Sequence, residues 1–143
     1  MLVNFKEMLE DAEKHNYAVA SINTSNLMAL RAIIAAAEDL NCPVILNHAQ
    51  GEEPLITLEA IAPLMKMYAE QARVPVSVHV DHGLDFSFCM RAIRAGFTSI
   101  MYDCSSEPLE KNIAEVNKLI EIARPLGISV EAELGNMPNN MPL

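Results

Sequence analysis

The feature that most constrains the fold is a series of short apolar runs separated by amphipathic helical patterns. β-prone runs begin near residues 18, 43, 75, 99 and 129, and each gap between them contains one helical pattern. Pro43 and Pro75 favour extended backbone at the start of two of these runs. Repeated strand–helix units predict a parallel α/β sheet, wound either into a barrel or into an open doubly wound sheet.

The barrel is favoured because no strand is followed by the glycine-rich fingerprint of a dinucleotide-binding fold. A (β/α)8 TIM barrel usually needs about 250 residues, whereas this chain has 143. We therefore predict the first five βα units of such a barrel over residues 1–135, truncated after strand 5. Residues 136–143, rich in proline and asparagine, are predicted to form an irregular tail.

Several local features of the chain also carry predictions. The first strand, at residues 17–23, is predicted to be buried, and the fifth is predicted to span residues 128–134. Thr57 opens a helix that Pro63 is expected to kink or delay, since proline removes a backbone hydrogen bond. Residues 51–54 (GEEP) are predicted to form a solvated loop, and His48 has no supporting acid in the sequence pattern.

Three successive predicted strands end in residues that can bind a metal or move a proton. Asp81 and His82 lie near the end of the segment 75–83 (PVSVHVDHG), Asp103 ends the segment 99–103 (SIMYD), and Glu133 lies near the end of the segment 129–135 (SVEAELG). The carboxyl ends of parallel strands face a shared cleft, so these side chains are expected to lie together at one rim. Acids there cost free energy unless they are paired or metal-bound. This mixture of nitrogen and oxygen ligands suits Zn²⁺ or another divalent ion.

Each of these residues also has a simpler interpretation. A lone His82 is more often a hydrogen-bonded turn residue than a ligand, and one acid at a strand end is more often a helix cap or salt-bridge partner. Asn23 and Asn47, at the ends of the first two strands, either hydrogen-bond a polar substrate or start a turn. His79 lies deeper in its strand and is predicted to be a packed core histidine. The repetition over three strands favours the metal site.

Charge and composition exclude some classes of function. A formal net charge of −9 argues against nucleic acid as a partner, because phosphates require a basic surface. It also suits an anionic substrate poorly unless basic groups lie elsewhere in a longer chain. No apolar run approaches the roughly 20 residues that a bilayer requires. Three cysteines without a C-x-x-C spacing indicate a reducing compartment, so a cytoplasmic location is expected.

The segments 75–83, 92–103 (AIRAGFTSIMYD) and 129–135 together resemble the class II, zinc-dependent ketose-bisphosphate aldolases, a family that includes the fructose- and tagatose-bisphosphate aldolases. The resemblance runs in order from about residue 3 to Gly135. It implies that Asp81 is the acid/base at the hydroxyl where the C–C bond breaks and that His82 is one of three zinc histidines. It further implies that Asp103 and Glu133 are oxygen ligands at a second or alternate metal position, and that Asn23 lies near the substrate.

The reaction implied is zinc-dependent, reversible cleavage of a phosphorylated ketose to a three-carbon ketose phosphate and an aldehyde, as in glycolysis and related carbohydrate metabolism. Zinc would stabilise the negative charge that forms on the ketose fragment. In the family, the other two zinc histidines and the phosphate-binding groups lie in later strands. The 143-residue chain is therefore expected to be incomplete or inactive by itself.

Two other functions remain open from the residues. An open half-barrel exposes strand edges that invite pairing, which predicts a homo-oligomer and allows a non-catalytic binding or interaction module. A different metal-dependent barrel enzyme, such as a hydrolase that uses a metal-bound water, is also compatible with Asp81, Asp103 and Glu133.

Overall fold

The computed structural model describes residues 1–135, and the predicted tail at 136–143 lies outside the described residues. Helices and strands alternate along the described chain. Their bounds are α1 Phe5–His15, β1 Ala20–Asn23, α2 Leu27–Leu40, β2 Val44–Ala49, α3 Leu58–Gln71, β3 Val76–Gly83, α4 Phe86–Ala95, β4 Ser99–Tyr102, α5 Leu109–Ala123 and β5 Ser129–Glu131. Short 3₁₀ turns at Gln50–Glu52 and Arg124–Leu126 follow β2 and α5.

The strands form one parallel sheet whose spatial order, β1-β2-β3-β4-β5, is also their order in the chain. One row of paired positions crosses the whole sheet and consists of Asn23, Asn47, His79, Ser99 and Ser129. A doubly wound sheet reverses its strand order at a switch point, whereas this order runs one way, as in the wall of a barrel. The prediction of five successive βα units is confirmed.

Local sequence explains where the first two helices begin and end. The Asn4 side chain accepts a hydrogen bond from the Glu7 amide at 3.0 Å, and Asn26 does the same for the Ala29 amide at 2.9 Å. Both are N-caps of the kind that asparagine favours. Asn16 and Asn41 end these helices in the left-handed conformation, with φ of 55° and 50°, which asparagine tolerates better than most residues.

The two faces of the sheet differ in polarity because side chains alternate along each strand. One face packs valine, leucine and isoleucine side chains, among them Leu46, Val78 and Ile100, against the helices in a single apolar core. The opposite face carries the polar row described above together with Asp81. The N-terminal end of α1 lies by this polar face: the Phe5 ring stacks on His79 with ring centroids 4.2 Å apart.

Three local predictions about the fold were wrong. All four residues of β1 are exposed, because β1 is an edge strand and no described strand pairs with its outer side. The helix α3 begins directly after Thr57, as predicted, so Pro63 does not delay its start; the kink at Pro63 stays a prediction. The strand β5 ends at Glu131 instead of residue 134. The predicted solvated loop at 51–54 includes the end of a 3₁₀ turn, and Glu53 accepts a hydrogen bond from the Leu58 amide at 2.7 Å.

No helix among residues 1–135 has both the length and the apolar character needed to cross a membrane.

Glu59, in the first turn of α3, forms an ion pair with Arg91 of α4. Arg91 Nε donates to one carboxylate oxygen at 2.7 Å and Nη2 to the other at 2.6 Å. These hydrogen bonds lower the pKa of Glu59 from 4.5 to about 2. Because the folded-state pKa is depressed, the stabilisation is fully present above pH 4.5 and is lost as the pH falls toward 2.

We predict that Glu59→Gln lowers the free energy of unfolding at pH 7 by about 0.5 kcal/mol, a small value because the Glu59 carboxylate is largely exposed to solvent. Urea unfolding should show the difference between Glu59→Gln and wild type shrinking as the pH falls below 4.5. The control Glu10→Gln removes a carboxylate that approaches Lys6 only at 3.9 Å and should leave stability unchanged. An undiminished difference at acidic pH would contradict this explanation.

Candidate functional site

The candidate site lies at the carboxyl end of β3, where the backbone leaves regular strand geometry. His82 has φ of 51°, a left-handed conformation that costs a non-glycine residue about 1–2 kcal/mol. The next residue, Gly83, is packed so closely that an added Cβ would lie 2.9 Å from both Cys89 Sγ and the Met101 carbonyl oxygen. This irregular strand end turns the His82 side chain away from the buried core, so that half of it is exposed.

His82, Asp103 and Glu133 form the cluster that the sequence predicted. The His82 Nδ1 atom lies 2.8 Å from Asp103 Oδ2 and 3.9 Å from Glu133 Oε2. One potential ligand atom from each of the three residues lies within 4.8 Å of the others. On the other side of the ring, His82 Nε2 lies 3.9 Å from Asp81 Oδ1. The four residues, which come from three separate segments, therefore lie together at one rim of the sheet.

The electrostatics of this cluster favour a charged pair between His82 and Asp103. The hydrogen bond to Asp103 raises the pKa of His82, partial burial opposes that shift, and the charges of Asp81, Asp103 and Glu133 add to it. Burial tends to raise the pKa of Asp103, but hydrogen bonds from Ser105 and His82 outweigh it, so the net shift of the Asp103 pKa is downward. The cluster thus concentrates negative charge around one imidazole.

Such a cluster has two chemical interpretations. As an ion pair, protonated His82 neutralises part of the charge of the surrounding carboxylates. As a metal site, neutral His82 supplies one nitrogen while Asp103 and Glu133 supply oxygens, a donor set that suits Zn²⁺ and other divalent ions. Three protein ligands are the usual number for a catalytic zinc. The residues present therefore fit a divalent cation, which would replace the proton on His82.

Asp81 is joined to the two predicted substrate-binding asparagines. Its Oδ2 atom accepts a hydrogen bond from Asn47 Nδ2 at 3.2 Å, and the same Nδ2 lies 3.5 Å from Asn23 Oδ1. The Asn47 Oδ1 atom accepts from the Ser21 hydroxyl at 2.9 Å. The polar ends of β1, β2 and β3 therefore form one hydrogen-bonded row that leads to His82.

His79 lies one layer below this rim and is 2% exposed. Its Nδ1 atom is hydrogen-bonded to the Ser99 hydroxyl at 2.9 Å, and its Nε2 atom lies 3.2 Å from a Glu131 carboxylate oxygen. The hydrogen bond with His79 lowers the pKa of Glu131, and burial opposes that shift. His79 is a packed, hydrogen-bonded core histidine, as predicted.

Sequence reasoning missed the residues around the loop that follows β2. His48, for which no acid was expected, is fully buried with its ring nitrogens 3.8 Å from Glu52 and 3.6 Å from Glu53. Gln50, for which the sequence predicted no role, contacts the segment directly after Gly83. The pair of acids four and five residues after this strand-end histidine was a usable signal for His48. No local pattern pointed to Gln50, because its partners lie in another unit.

Comparison with known proteins adds an independent observation. The chain matches the family model described as fructose-bisphosphate aldolase class-II over residues 3–141. It is 42% identical over 139 residues to a fructose-bisphosphate aldolase of Staphylococcus aureus, a match that covers 95% of this chain and 49% of that protein.

Solved structures show the same relationship. The crystal structure of the YdjI aldolase from Escherichia coli K12 matches with a TM-score of 0.91 and 36% identity, over 94% of this chain and 53% of that one. The fructose-bisphosphate aldolase of Campylobacter jejuni has a TM-score of 0.85 at 22% identity over 94% of this chain and 47% of that one, a likeness in fold. The chain spans about half the length of the relatives it matches.

Proposed function

Because the chain belongs to the class II fructose-bisphosphate aldolase family, we propose that its strand ends supply part of the site of a zinc-dependent aldolase. The proposed reaction is reversible cleavage of a phosphorylated ketose to a three-carbon ketose phosphate and an aldehyde. The observation that carries the proposal is the cluster of His82, Asp103 and Glu133 within 4.8 Å, with Asp81 at 3.9 Å from His82.

In this proposal His82, Asp103 and Glu133 hold the divalent cation. The bound ion would supply Lewis-acid stabilisation of negative charge on the ketose oxygen. The chain's own residues supply proton transfer and orientation. Asp81 accepts the hydroxyl proton at the C–C bond to be cleaved and returns it in the condensation direction.

Asn47 and Asn23 orient the reacting groups. The Asn47 amide donates to Asp81 Oδ2, which fixes the plane of that carboxylate and leaves Oδ1 available for the substrate hydroxyl. Asn23 offers amide hydrogen-bonding groups beside it, suited to the hydroxyls of a sugar. A cytoplasmic location and a homo-oligomeric assembly complete the proposal.

Isothermal titration of the purified chain with Zn²⁺ tests the first requirement of this proposal. We predict one Zn²⁺ bound per chain, and the same stoichiometry for Co²⁺, whose visible absorption reports its ligands. An absence of binding would overturn the proposal and favour the non-catalytic interaction module.

A pair of small molecules separates an aldolase from another metal-dependent enzyme. Dihydroxyacetone phosphate and glycerol 3-phosphate differ only at the central carbon, which is a ketone in the first compound and an alcohol in the second. Added to the Co²⁺-loaded chain, the ketone should change the visible absorption more than the alcohol does. Equal responses to the two compounds would count against ketose recognition.

A further inference from the structure

Gln50 lies in the 3₁₀ turn that follows β2, and its side chain crosses to the segment that follows β3. The Gln50 Oε1 atom accepts hydrogen bonds from the Leu84 amide at 2.7 Å and the Asp85 amide at 3.0 Å. The Gln50 Nε2 atom donates to Asp85 Oδ2 at 2.5 Å. One side-chain amide thus uses both its acceptor and its donor on two consecutive residues of another strand–helix unit.

We propose that Gln50 is a positioning residue for the cluster of His82, Asp103 and Glu133. This inference rests on the proposed function of His82 as a metal ligand. His82 is separated from Leu84 only by Gly83, and its left-handed φ requires support from its surroundings. The two amides that Gln50 accepts fix the direction in which the chain leaves this irregular strand end. They therefore fix the backbone from which the His82 imidazole reaches Asp103 and Glu133.

The start of α4 indicates that the contact is specific. Asp85 occupies the N-cap position of α4, yet its side chain makes no capping hydrogen bond to the helix. One of its carboxylate oxygens instead accepts from Gln50 Nε2. A residue type that normally stabilises its own helix is here engaged by a side chain from the preceding unit.

The turn that carries Gln50 is itself anchored on both sides. The Ala49 amide donates to Glu52 at 3.1 Å. Glu53 accepts from the Leu58 amide at 2.7 Å and from Arg91 at 2.9 Å. Because these contacts hold the turn, the backbone that carries the Gln50 side chain is fixed in place, as a positioning residue requires.

The buried imidazole of His48 lies between the two carboxylates of this turn. Neither ring nitrogen has a hydrogen-bond partner among the described residues, and the carboxylates of Glu52 and Glu53 lie 3.8 and 3.6 Å from them. The two acidic side chains of the turn therefore lie next to a buried side chain of β2.

Exchanging the amide and the carboxylate between Gln50 and Asp85 tests the proposal. Gln50→Ala removes all three contacts, and Gln50→Glu places a carboxylate against the Asp85 carboxylate. We expect each to weaken Zn²⁺ binding by about 10- to 100-fold, the usual effect of losing a residue that orients a ligand. The double variant Gln50→Glu/Asp85→Asn restores a donor–acceptor pair with the roles exchanged, and it should recover most of the lost affinity.

Controls separate positioning from general destabilisation. Gln71→Ala removes an exposed glutamine at the end of α3 and should leave Zn²⁺ affinity unchanged. Hydrogen exchange at the Leu84 and Asp85 amides should accelerate in Gln50→Ala and slow again in the double variant. Thermal unfolding identifies any variant that is simply unfolded.

The outcomes keep this inference distinct from the proposed function. If wild type binds no Zn²⁺, the proposed function fails, and the exchange rates alone decide whether Gln50 holds the turn. If wild type binds Zn²⁺ while Gln50→Ala binds it equally well, Gln50 has no positioning role. Failure of the double variant to recover affinity, with its fold intact, would also overturn the inference.

Discussion

Replacing His82 with alanine is expected to weaken Zn²⁺ binding by about 100-fold or more. Residues that only orient a ligand cost about 10- to 100-fold in metal affinity when they are replaced, and His82 is the one nitrogen donor of its cluster. Without the imidazole, Asp103 and Glu133 are left as two oxygen donors, too few for the usual three-ligand zinc site. Isothermal titration at neutral pH measures the change directly.

His15→Ala is the matched control for this prediction. His15 is an exposed histidine at the end of α1, 3.1 Å from Asp11, and it belongs to none of the contacts of the rim. Its removal should leave Zn²⁺ affinity unchanged. If both variants bind as wild type does, the ion is held elsewhere and the His82 cluster is an ion pair without a metal. If both lose affinity equally, binding reflects exposed histidines in general.

Gly83→Ala is expected to destabilise the fold by about 1–3 kcal/mol, the usual cost of forcing a methyl group into packed surroundings. The new Cβ would lie 2.9 Å from the Met101 carbonyl oxygen, a backbone atom of β4, and 2.9 Å from the buried Cys89 sulfur. The Met101 carbonyl oxygen cannot move away without shifting β4 relative to β3, and the Cys89 sulfur is confined in the core beneath α4. Because these strands carry His82 and lead to Asp103, the substitution should also lower Zn²⁺ affinity.

Gly51→Ala tests whether any added methyl group has this effect. No atom beyond Gly51 and its two chain neighbours lies within 4 Å of the added Cβ, so chemical denaturation should show no loss of stability there. Gly83→Ala with wild-type stability would mean that β4 relaxes freely, and it would remove the packing reason for glycine at this position.

The cluster of His82, Asp103 and Glu133 was predictable because its members occupy equivalent places in successive units. Asp81, His82 and Asp103 lie at or just after the ends of their strands, and parallel pairing brings such ends to the same rim. Glu133 lies two residues beyond β5, yet its carboxylate still reaches His82. Beyond the end of β5, Asn112 Nδ2 donates to the Glu133 carbonyl oxygen at 2.8 Å, which holds this residue near the rim.

The exposure of β1 and the contacts of Gln50 were not predictable in this way. An apolar run such as that of β1 has the same pattern at an edge as in the centre of a sheet, so periodicity alone does not reveal exposure. Gln50 meets Leu84 and Asp85 across 34 and 35 positions, and nothing in a local window reports such a partner. The same holds for Glu59 and Arg91, which join neighbouring helices.

The sequence by itself determined the alternation of strands and helices and the groups at the strand ends. These follow from interactions within a few residues, whose energies depend on local order in the chain. Only the tertiary structure decided that the face opposite the helices is polar, that Asn47 bonds to Asp81, and that Gln50 supports the turn after His82. Those contacts depend on register and on the distance between units, which are set when the sheet assembles.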